Sequence, residues 1–228
     1  MAISAVALCG SRARGDQTPA SDTDLLLVSE EDAPPRHTSM GSVSFSTYGV
    51  ADLMAKADDG DLFLWHCLFE GKTVHDPESL FDDLRARFRL RSSYAREIDQ
   101  AVAVAELLIL FGEKAPNVAL AARRATWVVR TILISRSAER GAPRFAAHEL
   151  LELAPTDETK RLLRLKDHHV YDAGGARDLA KFLDWAGLKN PLPRARTAND
   201  FIPLFVRSGN AIGLHFLEHA DDSQRPYG

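Results

Sequence analysis

Hydrophobic positions in the first 50 residues come in short runs with a strand-like pattern. Residues 2–8, rich in Ala, Val, Ile and Leu, and residues 25–28 form short apolar runs of the kind found in buried strands. Residues 42–48 alternate polar and apolar side chains with the period of two expected for a strand with one covered face. The pattern therefore predicts three strands near the start of the chain, separated by polar turns.

After residue 50 the hydrophobic period changes to three and four residues, which indicates helices. Short helices are predicted at 50–57 and 62–70, followed by an edge strand near 71–75. Beyond Pro77 nearly everything is predicted to be helical, including two long helices with Ser92 or Ser93 and Asn117 as their N-caps. Further segments complete this prediction: helices at 146–153, 157–168, 175–185 and 199–217, and a Pro-rich link at 190–193.

This order of elements predicts an α/β (α+β) protein. We expect a small mixed β-sheet domain at residues 1–90 and an all-α helical bundle domain at residues 91–228. The two parts also differ in charge, since residues 1–90 hold 8 Lys and Arg against 15 Asp and Glu, and the remainder holds 20 against 17. The net charge of −4 argues against a protein that holds nucleic acid mainly by bulk charge.

The sequence lacks two features that would indicate a membrane or an oxidising compartment. No apolar stretch reaches the roughly 18–20 residues that a membrane span needs. The only cysteines, Cys9 and Cys67, predict no disulfide framework and are interpreted as small buried hydrophobes. A cytoplasmic protein without a membrane partner is therefore expected.

The segment with the most informative chemistry runs from residue 10 to residue 24. A Gly10-Ser11 turn follows the first strand, ten residues intervene, and Asp22 and Asp24 stand at the start of the second strand. Backbone N–H groups and the Ser11 hydroxyl at such a turn can bind phosphate, and glycine lets the phosphate approach the backbone. Carboxylates two apart in a strand project to one face, where they favour a divalent cation. The segment thus predicts a triphosphate cradle beside a Mg²⁺ platform.

Three further side chains of the α/β region, two arginines and a histidine, carry charge or can titrate. Arg12 and Arg14 lie inside the proposed cradle, where their guanidinium groups suit phosphate oxygens. A solvent-exposed loop position is the alternative for both. His66 lies on the helix predicted to close the α/β core, and we interpret it as satisfying a backbone carbonyl.

The Gly-Ser-x10-Asp-x-Asp pattern resembles the minimal nucleotidyltransferases of the DNA polymerase β-like superfamily, with a full match over residues 10–24. The resemblance implies Mg²⁺-dependent transfer of a nucleoside monophosphate from an NTP, with ATP expected. The acceptor would be a hydroxyl of a small molecule, an RNA end or a protein. Ser11 would hold the terminal phosphates, and Asp22 and Asp24 the metal. The helical remainder resembles the bundles of kanamycin nucleotidyltransferase and of HEPN proteins.

The sequence departs from that family at the third carboxylate. Active members usually carry it on a neighbouring strand, but the strand at 42–48 has no acid, and Ser44 or Ser46 would occupy the face in question. A replacement would have to come from one of three other acids: Asp16, Glu30 or Asp52. The alternative to an enzyme is therefore a catalytically degenerate module that acts as an antitoxin-like or regulatory binding protein.

The helical region contains one spacing typical of a ribonuclease site. Arg164 with His169, and Arg161 with His168, match the Arg-x4–6-His spacing of HEPN ribonucleases. This composition produces about that many matches by chance. We interpret these residues as lying on the surface at the end of a helix.

A second basic feature of the helical region is a row of arginines. Arg123, Arg124 and Arg130 flank Trp127. They are interpreted as a solvated helix face, with an RNA or an acidic protein partner as the alternative. The apolar content of the last helices would suit a homodimer.

Overall fold

The computed structural model describes residues 2–19, 21–31, 34–189 and 194–221, and the Pro-rich link expected at 190–193 lies outside these ranges. The chain forms two compact units, residues 1–92 and residues 93–228.

The first unit is built on a mixed five-stranded sheet. Its strands are β1 (Ile3–Cys9), β2 (Thr23–Ser29), β3 (Arg36–Met40), β4 (Val43–Gly49) and β5 (Lys72–His75). They lie in the order β3-β4-β2-β1-β5, with β2 and β4 parallel and the other neighbours antiparallel. Strand β3 was not predicted, because it lies at an edge and all its residues are exposed, so it lacks an apolar signal.

Helices cover one face of this sheet and form the core of the first unit with it. They are α1 (Gly10–Arg14), α2 (Val50–Asp58), α3 (Leu62–Phe69) and α4 (Leu80–Arg87). Ala5, Ala7, Leu26 and Val28 alternate along β1 and β2 and share one buried cluster with side chains of α2, α3 and α4. Asp24 lies two residues before Leu26 and therefore belongs to this covered face, at its edge.

The second unit is helical, as the sequence predicts. It contains α5 (Ala95–Phe111), α6 (Val118–Glu139), α7 (Ala147–Leu153), α8 (Asp157–His168), α9 (Ala173–Trp185), α10 (Ile202–Ser208) and α11 (Ala211–His219). Helix α5 packs against α6 and α9, and α8 packs against the same two helices. Within the ranges given above, no helix combines the length and apolarity needed to cross a bilayer.

Two predicted helix details are wrong, and one is confirmed. Asn117 caps α6, because its side chain accepts a hydrogen bond from a first-turn N–H. Helix α5 begins instead after Tyr94, while the Ser93 hydroxyl accepts from the Ala95 N–H at 3.2 Å. The single helix predicted at 199–217 is interrupted at Gly209, whose φ of +64° separates α10 from α11.

Candidate phosphate and metal site

The bend at the end of β1 lies directly against the carboxylate of Asp24. The chain turns into α1 at Gly10, whose φ is +72°. The antiparallel register pairs Cys9 with Asp24, and a Cβ added to Gly10 would overlap Oδ2 of Asp24. The bend needs glycine for both reasons, and the fold brings Asp24 to the Gly10-Ser11 turn.

Asp22 is less constrained than Asp24. It precedes the first residue of β2 and is exposed, whereas Asp24 lies within the strand and is half-buried. The neighbouring Thr23 N–H donates to the Ser42 carbonyl at 2.7 Å, which holds this end of β2 to the segment before β4. The prediction that both aspartates are strand residues is therefore correct only for Asp24.

One N–H of the bend donates to a histidine for which the sequence predicts a different partner. The Gly10 N–H donates to Nε2 of His66, on α3, at 2.9 Å. Nδ1 of the same ring lies 2.7 Å from Oε2 of Glu70. Since Nε2 accepts, the ring proton sits on Nδ1 and is donated to Glu70. The interpretation that His66 satisfies a backbone carbonyl is wrong, because it receives a backbone N–H instead.

Glu70 joins this histidine to an arginine of the predicted cradle. Its Oε2 lies 3.1 Å from Nη1 of Arg14. Burial raises the pKa of Glu70, but the hydrogen bonds and charges of His66 and Arg14 outweigh it, and the pKa lies below its ordinary value. Glu70 is therefore ionised at neutral pH. The network that results holds the bend through His66, and we call it the Arg14–Glu70–His66 network.

Both arginines of the predicted cradle make bonds within the domain. Arg12 donates from Nη2 to the Ser21 carbonyl at 2.9 Å. Arg14 pairs with Asp16 at 3.2 Å as well as with Glu70. Asp16 also donates its N–H to the Ser11 carbonyl, so it closes the turn that follows α1. The two arginines thus stabilise the loop around the bend.

The position expected for a third carboxylate holds a hydroxyl group. The parallel register of β2 and β4 places Ser44 opposite Asp24 and Ser46 opposite Leu26. The Ser44 hydroxyl lies 3.4 Å from that of Ser39 on β3. No cluster of three or more His, Cys, Asp or Glu side chains that could hold a metal occurs in the described part of the chain. That includes the acids considered as replacements: Asp16, Glu30 and Asp52.

The donor chemistry of the pair nevertheless fits Mg²⁺ bound together with a nucleotide. Mg²⁺ in nucleotide sites is held by one or two carboxylates, and phosphate oxygens and water complete its six ligands. Asp22 and Asp24 supply two carboxylates, of which Asp24 lies at the bend. The site thus suits a cation that arrives with a triphosphate, because the protein alone offers few ligands.

Two buried cysteines adjoin residues of the site in sequence, Cys9 before Gly10 and Cys67 after His66. Cys9 and Cys67 are each only 2% exposed, which agrees with their interpretation as small buried hydrophobes. Burial raises the pKa of the Cys67 thiol well above its ordinary value, and Cys9 and Asp24 add to this effect. Cys67 is therefore a neutral thiol at neutral pH and a poor metal ligand.

The basic residues singled out in the helical unit fall into two groups. Arg164 and His169 are exposed near the end of α8, as the sequence interpretation expects. The arginine row on α6, interpreted as a solvated face, is only partly exposed. Arg130 donates to the Phe145 carbonyl at 2.9 Å, and Arg124 is largely withdrawn from solvent.

Residues 2–102 match the family model described as a nucleotidyltransferase domain. The N-terminal unit is a nucleotidyltransferase domain. The resemblance drawn from Gly10-Ser11 and the aspartate pair is thereby confirmed for this part of the chain, and the match extends into α5. The helical unit fits the all-α companion expected after the nucleotidyltransferase domain.

One solved structure similar to this chain is the nucleotidyltransferase-like protein from Exiguobacterium sibiricum 255-15. The similarity covers 91% of this chain and 86% of the other, with 14% sequence identity and a TM-score of 0.37. At that score the likeness supports no conclusion about this chain. No curated protein sequence matches it.

Proposed function

We propose that the nucleotidyltransferase domain transfers a nucleoside monophosphate from an NTP, ATP in the first instance, to an acceptor hydroxyl. Mg²⁺ would be its cofactor. The acceptor would belong to a small molecule, an RNA end or a protein. The observation that supports this is the contact between the Asp24 carboxylate and the Gly10-Ser11 bend, in a domain that matches the family.

The bend offers its phosphate-binding groups mainly at Ser11. Within the described residues the Gly10 N–H is engaged by His66, and the Ser11 N–H and hydroxyl remain for the terminal phosphates. Helix α1 has only five residues, and a helix this short adds little dipole of its own. Binding would therefore depend on direct hydrogen bonds, with the Arg14–Glu70–His66 network keeping the bend in shape.

The aspartate pair would hold the cation and orient the α-phosphate. In the transfer, the acceptor oxygen bonds to the α-phosphorus, the bond to the β-phosphate oxygen breaks, and pyrophosphate leaves. Bound Mg²⁺ would neutralise charge on the triphosphate and on the leaving pyrophosphate. The acceptor hydroxyl proton must pass to a base or to water, and Asp24 is the half-buried carboxylate at the bend.

The test measures binding and transfer separately. Calorimetry with each NTP and Mg²⁺ is expected to show binding that weakens at least tenfold in Asp24→Asn. Asp59→Asn removes an exposed acid of the same domain and should bind as the parent does. Transfer of label from α-labelled ATP to candidate hydroxyl acceptors should disappear in Asp24→Asn only. Absence of NTP binding by the folded parent would overturn the proposal.

A second candidate function rests on Ser44. A hydroxyl stands beside Asp24 where active relatives are expected to carry a third acid. If that acid is indispensable, the domain binds nucleotide without transferring it and serves as a regulatory or antitoxin-like module. NTP binding that depends on Asp24, with no transfer to any acceptor class, would favour this role.

A further inference from the structure

A cationic cluster lies within the helical unit, between α6 and α11. Arg124 projects from α6, and its Nη2 lies 3.1 Å from Nδ1 of His215 on α11. The ring of His215 stacks on that of His219, with centroids 4.2 Å apart and planes 21° apart. The His219 ring is tied to its own helix, because Nδ1 lies 3.0 Å from the His215 carbonyl. We call Arg124, His215 and His219 the Arg–His cluster.

The guanidinium of this cluster lacks a counter-ion in the described ranges. Its Nε is inaccessible to solvent and has no hydrogen-bond partner. Burial lowers the pKa of Arg124 to about 10, with a further contribution from Arg123 and none from a carboxylate. A charge withdrawn from water is costly unless an opposite charge compensates for it. An anion beside this partly buried guanidinium would therefore be stabilising.

His215 adds a hydrogen-bond donor beside the guanidinium, whereas the Nδ1–H of His219 is donated to the His215 carbonyl. Since Arg124 donates to Nδ1 of His215, the neutral ring carries its proton on Nε2. Burial, Arg124 and His219 lower the pKa of His215, and only Glu218 opposes them clearly. Burial and the nearby positive charge therefore favour the neutral form of His215, and an anion placed beside it would counteract the effect of that charge.

We propose that the Arg–His cluster is a binding site for a tetrahedral dianionic oxyanion, either free phosphate or the phosphate of a monoester. The guanidinium fork matches two phosphate oxygens, and an imidazole N–H can serve a third. A dianion compensates for the charge of Arg124 and can accept a hydrogen bond from the Nε2–H of His215. The cluster is built entirely from the helical unit, so this site does not depend on the proposed nucleotidyl transfer.

Thermal unfolding of the full chain tests the site with inorganic phosphate as the probe, against chloride at equal ionic strength. Phosphate at ten times its Kd should raise the Tm by about 3 °C. Arg124→Met should abolish this rise, and in chloride it should melt no lower than the parent, because it removes a partly buried charge that no described carboxylate compensates. Arg164→Met removes an exposed charge of α8 and should keep the full rise.

NMR of the histidine rings gives a second readout. Phosphate should move the His215 and His219 ring signals in the parent and in Arg164→Met but not in Arg124→Met. A parallel titration with glycerol 3-phosphate distinguishes free phosphate from a phosphate monoester as the ligand. Equal Kd values identify free phosphate as the ligand, and a tenfold tighter monoester identifies a phosphorylated metabolite. Unmoved ring signals, or a phosphate effect that persists in Arg124→Met, would overturn the proposal.

Discussion

Gly10 is the residue on which the geometry of the candidate site depends most directly. Its positive φ places the backbone in the left-handed region, and its missing side chain leaves room for the Asp24 carboxylate. Gly15 shares the positive φ, at +86°, but no atom lies within 4 Å of the place where its Cβ would stand. Comparing substitutions at Gly10 and Gly15 therefore separates the cost of backbone strain from the cost of overlap with Asp24.

Gly10→Ala is expected to lower the free energy of unfolding by about 2–3 kcal/mol, since it adds overlap with Asp24 to the strain of φ. Gly15→Ala should cost about 1 kcal/mol, from strain alone. Urea denaturation of both variants measures the difference. Equal losses would mean that Asp24 does not press against the bend.

The ion pairs of Glu70 predict a pH dependence of stability. Because the pKa of Glu70 is lowered in the folded protein, its contribution is complete above the ordinary value of 4.5. It disappears as the pH falls through the lower folded-state pKa. Glu70→Gln should therefore cost about 1 kcal/mol at pH 7 and progressively less below pH 4.5.

Urea denaturation between pH 7 and pH 3 measures this dependence. Glu78→Gln, the same change at an exposed position of the same unit, should leave stability nearly unchanged across this range. A cost of Glu70→Gln that stays constant with pH would contradict the role assigned to the carboxylate charge.

The pairing of strands β2 and β4 determines which side chain stands beside Asp24. Their parallel register aligns Asp24 with Ser44 and Leu27 with Thr47. Ser44 shares the face of Asp24, and Thr47 points to the opposite face of the same strand. A carboxylate introduced at these two positions should therefore have different effects.

Ser44→Asp is expected to strengthen Mg²⁺-dependent NTP binding and to raise nucleotidyl transfer by tenfold or more, because it supplies the third acid at the register position. Thr47→Asp should do neither. Calorimetry and the α-label assay provide the measurements. If Ser44→Asp folds and changes neither quantity, the third-acid position is not beside Asp24.

The helices show which helix bounds a local hydrophobic pattern predicts and which it misses. Helix α8 has the predicted bounds, because the helical spacing of its apolar residues stops at the polar residues that cap the helix. The segment at 199–217 keeps a helical apolar pattern across Gly209, so periodicity alone does not reveal the break between α10 and α11. Strand β3 is found only through its pairing with β4.

The chain consists of two units that each bury a core of their own. In the helical unit, Leu107 on α5, Val128 on α6, Leu162 on α8 and Leu179 on α9 have no exposed surface. Ala5, Leu26, Leu53 and Leu64 are equally buried in the sheet unit. Each unit thus has the means to fold without the other.

A chain of residues 93–228 is expected to fold independently, since its four central helices pack on one another. Circular dichroism should show a helical spectrum and a single cooperative thermal transition. The full chain serves as the reference for the helical signal. A spectrum without helix, or melting without a cooperative transition, would show that the helical unit requires the nucleotidyltransferase domain.

Apart from the exposed strand β3 and the break at Gly209, the order of strands and helices and the Gly-Ser-x10-Asp-x-Asp pattern could be read along the chain. They depend on spacing between near neighbours, which sequence states directly. Tertiary packing determined the contacts between residues that are far apart in sequence. It brought His66 to a bend 56 positions away, placed Ser44 beside Asp24 and buried Nε of Arg124. Such contacts join segments far apart in sequence, and they arise only when one particular packing of the elements buries them together.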